Sequence, residues 1–217
     1  EAFTPHSVTM TMIGASLLWV GWFGFNAGSN LEANGLAAMA FLNTMVATAA
    51  ATCSWMFAEW MFKGKPSMVG AASGALAGLV AITPACGFVG PLAAIAIGAA
   101  ASGIGFLAVA VLKPRFGYDD SLDVFGIHGV GGVLGTLSAG LFAQAAVGGV
   151  DGLLAGNPRQ LGIQALTVLV TVAYSLVVTA GLYKAVDLAL GMRVDKQSEI
   201  VGLDISQHKE IGYTVLE

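Results

Sequence analysis

Residues 123–146, "DVFGIHGVGGVLGTLSAGLFAQAA", form a run of Gly, Ala, Val, Leu, Ile and Phe with one carboxylate at its start and one imidazole inside it. A helix crossing the hydrocarbon core of a bilayer needs about 20 mostly apolar residues, and this stretch has that length. It also carries His128, a titratable group placed where nothing else is charged. The first fact decides the fold class, and the second raises the question of function.

The whole chain reads in the same way. Of its 217 residues, 56% are hydrophobic and only 10% are charged, against roughly a quarter charged in soluble domains. Mean hydropathy is +0.80. The 30 glycines suit helices in lipid, which associate through close approach of small residues. A net charge of -4 gives no basis for nucleic-acid binding. Cys53 and Cys86 both lie in apolar segments, which argues against a disulfide framework. The chain opens on Glu1 without an initiator Met or a signal peptide, and the expectation is a piece of a longer protein.

Six segments are expected to span the membrane, roughly 8–28, 36–62, 68–84, 90–112, 123–146 and 161–190. The separators, among them "SNLEANG", "KGKPS" and "KPRFGYDDS", carry turn and charge signals. With the N-terminus cytoplasmic, eight of the nine Lys and Arg residues fall on the inner side and only Arg159 lies outside, which orients the chain by the positive-inside rule. Both ends are then cytoplasmic. Gly74 with Gly78, and Gly131 with Gly135, are spaced for tight helix packing. Glu59, near the charged end of the second span, reads as an interfacial carboxylate. The expected organisation is a bundle over 1–192 and a polar tail over 193–217.

Two helix faces could line a path. Val124, His128, Gly132, Gly135 and Ala139 share one face at 100° per residue, so the imidazole stands on a strip of small side chains. Leu18, Trp22, Phe25 and Ser29 share another. Ionisable residues at membrane depth mark functional sites by default; the plain alternative for His128 is a packing histidine. Asp123, at the start of its span, reads as a helix cap. Thr83, beside Pro84, could add a polar group near Ser29. No Cys or Ser partner stands at motif spacing from His128 and no metal-ligand cluster appears, so an enzyme active site is a poor reading and no cofactor is expected.

Five stretches in order, "GWFGFNAGS" (21–29), "FLNTMVATAAA" (41–51), "GALAGLVAITPACG" (74–87), "DVFGIHGVGG" (123–132) and "GLDISQHKEIGY" (202–213), resemble the ammonium transporter family, related to the Rhesus proteins. The resemblance covers essentially the whole chain and implies an all-α polytopic membrane protein. This chain would supply one half of an eleven-helix inverted-repeat fold plus the last helix, from the sixth helix onward. The N-terminal half, with the family's first pore histidine, would be absent. The family assembles as trimers with one pore per subunit.

Residue by residue, His128 resembles the second member of a twin-histidine pair. Phe25 resembles one of two stacked phenylalanines closing the outer vestibule, and Ser29 the serine that hydrogen-bonds ammonium above them. Trp22, Leu18, Thr83 and Val124 correspond to pore-lining positions, and Asp123 to a buried structural carboxylate. The tail, with Arg193, Asp204, His208, Glu210 and Tyr213, resembles the segment that couples subunits and meets a PII-type signal protein. It departs from the family pattern at Lys209, where glycine is usual. The resemblance implies ammonium or ammonia transport across the cell membrane, with an ammonium-sensing receptor on the same scaffold as the alternative.

Overall fold

The computed structural model describes residues 5–212 and is helical throughout, with no strand among the described residues. Helix α1 runs Val8–Ala27, capped by Ser7, whose hydroxyl accepts the Met10 N–H, and it tightens into a 3-10 turn at Gly28–Asn30. Helix α2 is Gly35–Lys63. The Asn34 side chain caps it by accepting from Leu36 and Ala37, and Gly64 at φ +78 ends it. Helix α3, Met68–Ile82, is capped by Ser67. Helix α4, Pro91–Leu107, continues through a π turn at Ala108–Leu112 into a short helical turn at Lys113–Phe116. A second π turn, Phe125–Gly129, leads into α5, Val130–Phe142. Helix α6 spans Pro158–Leu190, and α7, Lys196–Val201, lies in the tail.

Among the described residues, five helical stretches are long and apolar enough to cross a membrane, and the chain is a polytopic membrane protein. The third expected span falls short: α3 has 15 residues, about 22 Å of helix. Pro84 cannot continue the helical ladder. The buried Asn43 then pins the following turn, its amide donating to the carbonyls of Cys86 at 2.8 Å and Val89 at 2.7 Å. The fifth segment also ends early, at Phe142 rather than 146. There the chain turns aside, Gln144 N–H donating to Phe88 O and Ala145 N–H to the Asp151 carboxylate.

Up to Val168 the chain forms one compact unit, in which α2 packs along both α3 and α4, and α5 packs on α3 and α4. Small residues make these approaches possible. A Cβ on Gly74 would lie 2.6 Å from the Trp55 Cβ, and one on Gly78 2.6 Å from the Ala51 Cβ. Gly131 approaches Val80, and Gly135 lies directly on the Ala81 backbone. Phe106, Leu79, Ile82, Ile97 and Val89 fill the remaining core. The hydroxyls within it are satisfied internally, as lipid favours: Thr44 and Thr48 donate to carbonyls one turn back, and Ser102 donates to Ala51 O at 2.6 Å.

Gly98 is the tightest of these approaches, since a Cβ there would overlap the Ala47 carbonyl. Gly98→Ala is therefore expected to destabilise the bundle by about 1–3 kcal/mol through overpacking. Gly103, on the same helix, has open space around it. Gly103→Ala is expected to be neutral or to stabilise by up to about 1 kcal/mol. Thermal unfolding of the two variants in one detergent checks the contrast, and equal losses would contradict the packing assignment.

Glu59, one turn from the charged end of α2, is covered by protein rather than open to solvent. It is buried at 4% exposure and accepts from the Ser67 N–H at 2.8 Å, the Ser67 hydroxyl and Lys63 Nζ at 3.1 Å. It ties the end of α2 to the start of α3. Both cysteines are free thiols.

From Leu169 onward a second unit holds the rest of α6 and the tail. Its α6 residues are almost all exposed. In the tail Asp195 caps α7 by accepting the Ser198 N–H and hydroxyl. Arg193 pairs with Glu199 through two bonds, at 2.6 and 3.2 Å. These contacts hold both carboxyls below their ordinary range, Asp195 chiefly through the Ser198 hydroxyl and Glu199 chiefly through the Arg193 guanidinium.

Candidate functional site

Two cavities in the first unit gather the residues singled out in the sequence. One, of about 650 Å³, is lined by Leu18 of α1, Ser73 of α3, Asp123, Val124 and His128, among others. It joins the start of α1 to the second π turn. The other, of about 370 Å³, is lined by Phe25, Asn26 and Ser29 from the far end of α1, with Thr83 and Phe88 from the turn after α3.

Leu18 faces one cavity with Val124 and His128, whereas Phe25 and Ser29 face the other with Thr83. Trp22 sits between, packed on the core cluster of Trp55, Val80, Phe106 and Ile127. Its Nε1–H donates to the Thr83 hydroxyl at 2.8 Å, and its ring meets that of Phe25 edge-on at 5.5 Å.

Hydrogen-bond direction gives the second cavity its chemistry. Ser29 donates its hydroxyl hydrogen to Phe25 O, and Thr83 donates its own to Leu79 O. A hydroxyl has one hydrogen and two lone pairs. What Ser29 can offer the cavity is therefore an acceptor, suited to a ligand that donates. The Thr83 oxygen already receives Trp22.

The face drawn through Val124, His128, Gly132, Gly135 and Ala139 also splits. Gly135 and Ala139 are buried, with Gly135 against α3, while Val124, His128 and Gly132 lie on the open side. The split falls inside the regular helix α5: Gly132 and Gly135 stand about 60° apart around its axis, and only the Gly135 side meets α3.

Asp123 is not the helix cap. Asp120 takes that role, its two carboxylate oxygens accepting the N–H groups of Val124 and Phe125 at 2.8 and 2.9 Å. Asp123 instead adopts a left-handed backbone, φ +58, and pairs with Lys113 Nζ at 2.6 Å.

Sequence reasoning passed over Asn26, which is buried and donates to Thr44 Oγ1 at 2.9 Å. It sits one residue beyond Phe25 inside "GWFGFNAGS", and a carboxamide in an apolar span was the available signal. In the tail, Asp204 and His208 bound a π turn, and Glu210 N–H donates to Asp204 O. Arg193 makes the pair with Glu199 described above. Tyr213 lies outside the described residues. Lys209, where the family pattern has glycine, stands at φ +55, a region that glycine enters without cost. No group of three metal-ligating side chains occurs among the described residues.

The described residues form an all-helical bundle with spans of membrane length and apolar cavities between its helices, which is the architecture of a polytopic membrane protein. The profile of the Ammonium Transporter Family matches residues 1–213, and the chain belongs to that family. It is 51% identical to an ammonium transporter of Aquifex aeolicus over 211 residues, covering 97% of this chain and 50% of that protein. It is 50% identical to the ammonium transporter Amt1 of Archaeoglobus fulgidus, covering 97% of this chain and 53% of the relative. Among solved structures, Saccharomyces cerevisiae Mep2 superposes with a TM-score of 0.84 at 35% identity, over 89% of this chain and 45% of that one. A sensor Amt protein superposes at 0.85 and 32% identity, over 93% and 49%. The chain spans about half the length of the curated relatives it matches.

Proposed function

We propose that this chain builds one half of the wall of a pore that carries ammonium nitrogen across the cell membrane. The observation that carries the reading is the pair of cavities strung along α1, one with an acceptor hydroxyl at Ser29 and the other with His128. A bare ammonium ion entering hydrocarbon bears a desolvation cost of several kcal/mol or more, so an apolar path rejects the ion and passes neutral ammonia. Ser29 receives an N–H of the ion at the outer mouth, beside Phe25 and Trp22. The ion gives up one proton toward the histidine pair that includes His128, and the ammonia left behind passes Leu18, Thr83 and Val124. An imidazole donates on one nitrogen and accepts on the other, so His128, with a partner histidine from the other half, holds ammonia and relays the proton. Asp123 is structural.

On this reading the protein is a homotrimer and not an enzyme, with both ends of this chain in the cytoplasm. The tail around Arg193, Asp204, His208, Glu210 and Tyr213 meets a PII-type signal protein there. A sensor on the same scaffold is the second reading, favoured by the similarity to the sensor Amt protein.

Ammonium-driven flux into vesicles holding the assembled protein separates the two. Flux that saturates and tracks protein content supports a transporter, and absent flux with specific ammonium binding supports the sensor. In the same vesicles, truncation after Arg193 is expected to remove binding of the PII-type signal protein while flux stays within about twofold of the intact protein, since surface changes remote from a site cost little. Unchanged partner binding would remove the tail from the proposal.

A further inference from the structure

Two π turns meet beside the cavity that holds His128. One, Ala108–Leu112, closes with the Lys113 N–H donating to Ala108 O, and the other, Phe125–Gly129, closes with the Val130 N–H donating to Phe125 O. They are in contact: a Cβ on Gly126 would lie 2.7 Å from the Val109 Cγ2. Winding decides where His128 points, because one residue more or less in a turn swings the rest of the helix by roughly 100°. Something must therefore set the starting point of the second π turn.

The loop before it supplies that start. The Asp120 carboxylate takes the N–H groups of Val124 and Phe125, and Asp123 O takes that of Ile127. Asp123 itself holds φ +58, which L-residues rarely adopt, although Asp tolerates it better than most. Lys113, the first residue after the first π turn, reaches across this loop. Its Nζ donates to Asp123 Oδ1 at 2.6 Å and also to the Asp120 carbonyl. Both side chains of the ion pair are 28% exposed, so the pair is partly shielded from solvent, and its geometry is fixed by the second bond of Lys113 to the Asp120 carbonyl.

We propose that Lys113 is a positioning residue for the pore: by clamping Asp123 and the Asp120 carbonyl it holds the left-handed turn from which the His128 π turn starts. The inference rests on the reading of His128 as a pore group. Lys113 does not touch the permeating species; it acts through the loop. Its ammonium also neutralises the Asp123 carboxylate on the cavity wall, so no fixed negative charge is left to retain a cation there.

The test uses the assembled transporter in lipid, with ¹⁵N-histidine labelling and the His128 resonance assigned by its loss in His128→Ala. Lys113→Met is expected to shift the His128 ring resonance and to lower ammonium uptake by about tenfold or more, the scale on which small misplacements act. Lys113→Arg, which can hold the same carboxylate and carbonyl, is expected to restore both. An unshifted resonance in Lys113→Met overturns the proposal whatever happens to uptake, and so does failure of Lys113→Arg to restore the resonance. If Lys113→Met does not assemble, Asp123→Asn decides. Asn tolerates the left-handed turn, so loss of the ion pair alone should move the resonance, and an unmoved one overturns the clamp. Absent uptake in the unmodified protein would refute the transport reading, while the resonance would still decide the positioning claim.

Discussion

His128→Ala is expected to leave a folded protein that no longer moves charge in response to ammonium. The side chain is exposed along an open cavity in this chain, with Gly132 on the open side one turn away. Within this chain truncation removes little packing, and the small neighbour Gly132 leaves open space to take up the change, so the stability cost should stay within about 1 kcal/mol. The current is expected to fall by about a hundredfold or more, the scale of losing a positioned proton-transfer group. Methylammonium, which is larger and also protonated, could then pass the widened path as an ion, so selectivity should change along with the current. A packing histidine bound to a buried carbonyl predicts the reverse: a loss of about 1–3 kcal/mol in stability, from an acceptor left unpaired, with selective current intact. Thermal stability and ammonium-evoked current on one purified preparation separate the two.

Hydropathy made the fold class legible. Six apolar segments with charged separators announce a membrane bundle, and five of them are helices of spanning length. The Gly74/Gly78 and Gly131/Gly135 spacings, read as packing seams, are the places where α3 meets α2 and α5. What hydropathy could not show was where winding changes. A π turn and an α turn have the same apolar composition, so the turn carrying His128 was invisible. Three carboxylates, Asp119, Asp120 and Asp123, crowd the loop before that turn. Choosing the cap among them required knowing that Lys113 comes from another element to claim Asp123. The burial of Glu59 was hidden for a related reason. Its partner Ser67 lies across a loop, eight residues on, and charge near a span end reads as surface until that contact is seen. The short α3 was half legible, since Thr83-Pro84 marks the stop but the Asn43 clasp on the next turn is a long-range contact.

The openness of the site leads to the second large effect. Leu18, Phe25 and Val124 are 53%, 61% and 50% exposed, although each lines a cavity. Residues of a closed pore would be covered by an opposing wall. The chain spans about half the length of the relatives it matches, and a wall of half that length leaves polar groups facing lipid, which hydrocarbon penalises. These 217 residues by themselves are therefore expected not to conduct, whereas co-expression with a matching five-helix half should produce conduction. The decisive measurement is ammonium-evoked current in vesicles of one lipid composition, recorded for this chain alone, for the two halves together, and for the two halves with His128→Ala. The prediction is current only from the intact pair. Current from this chain alone, or undiminished current with His128 replaced, would contradict a shared pore built around that imidazole.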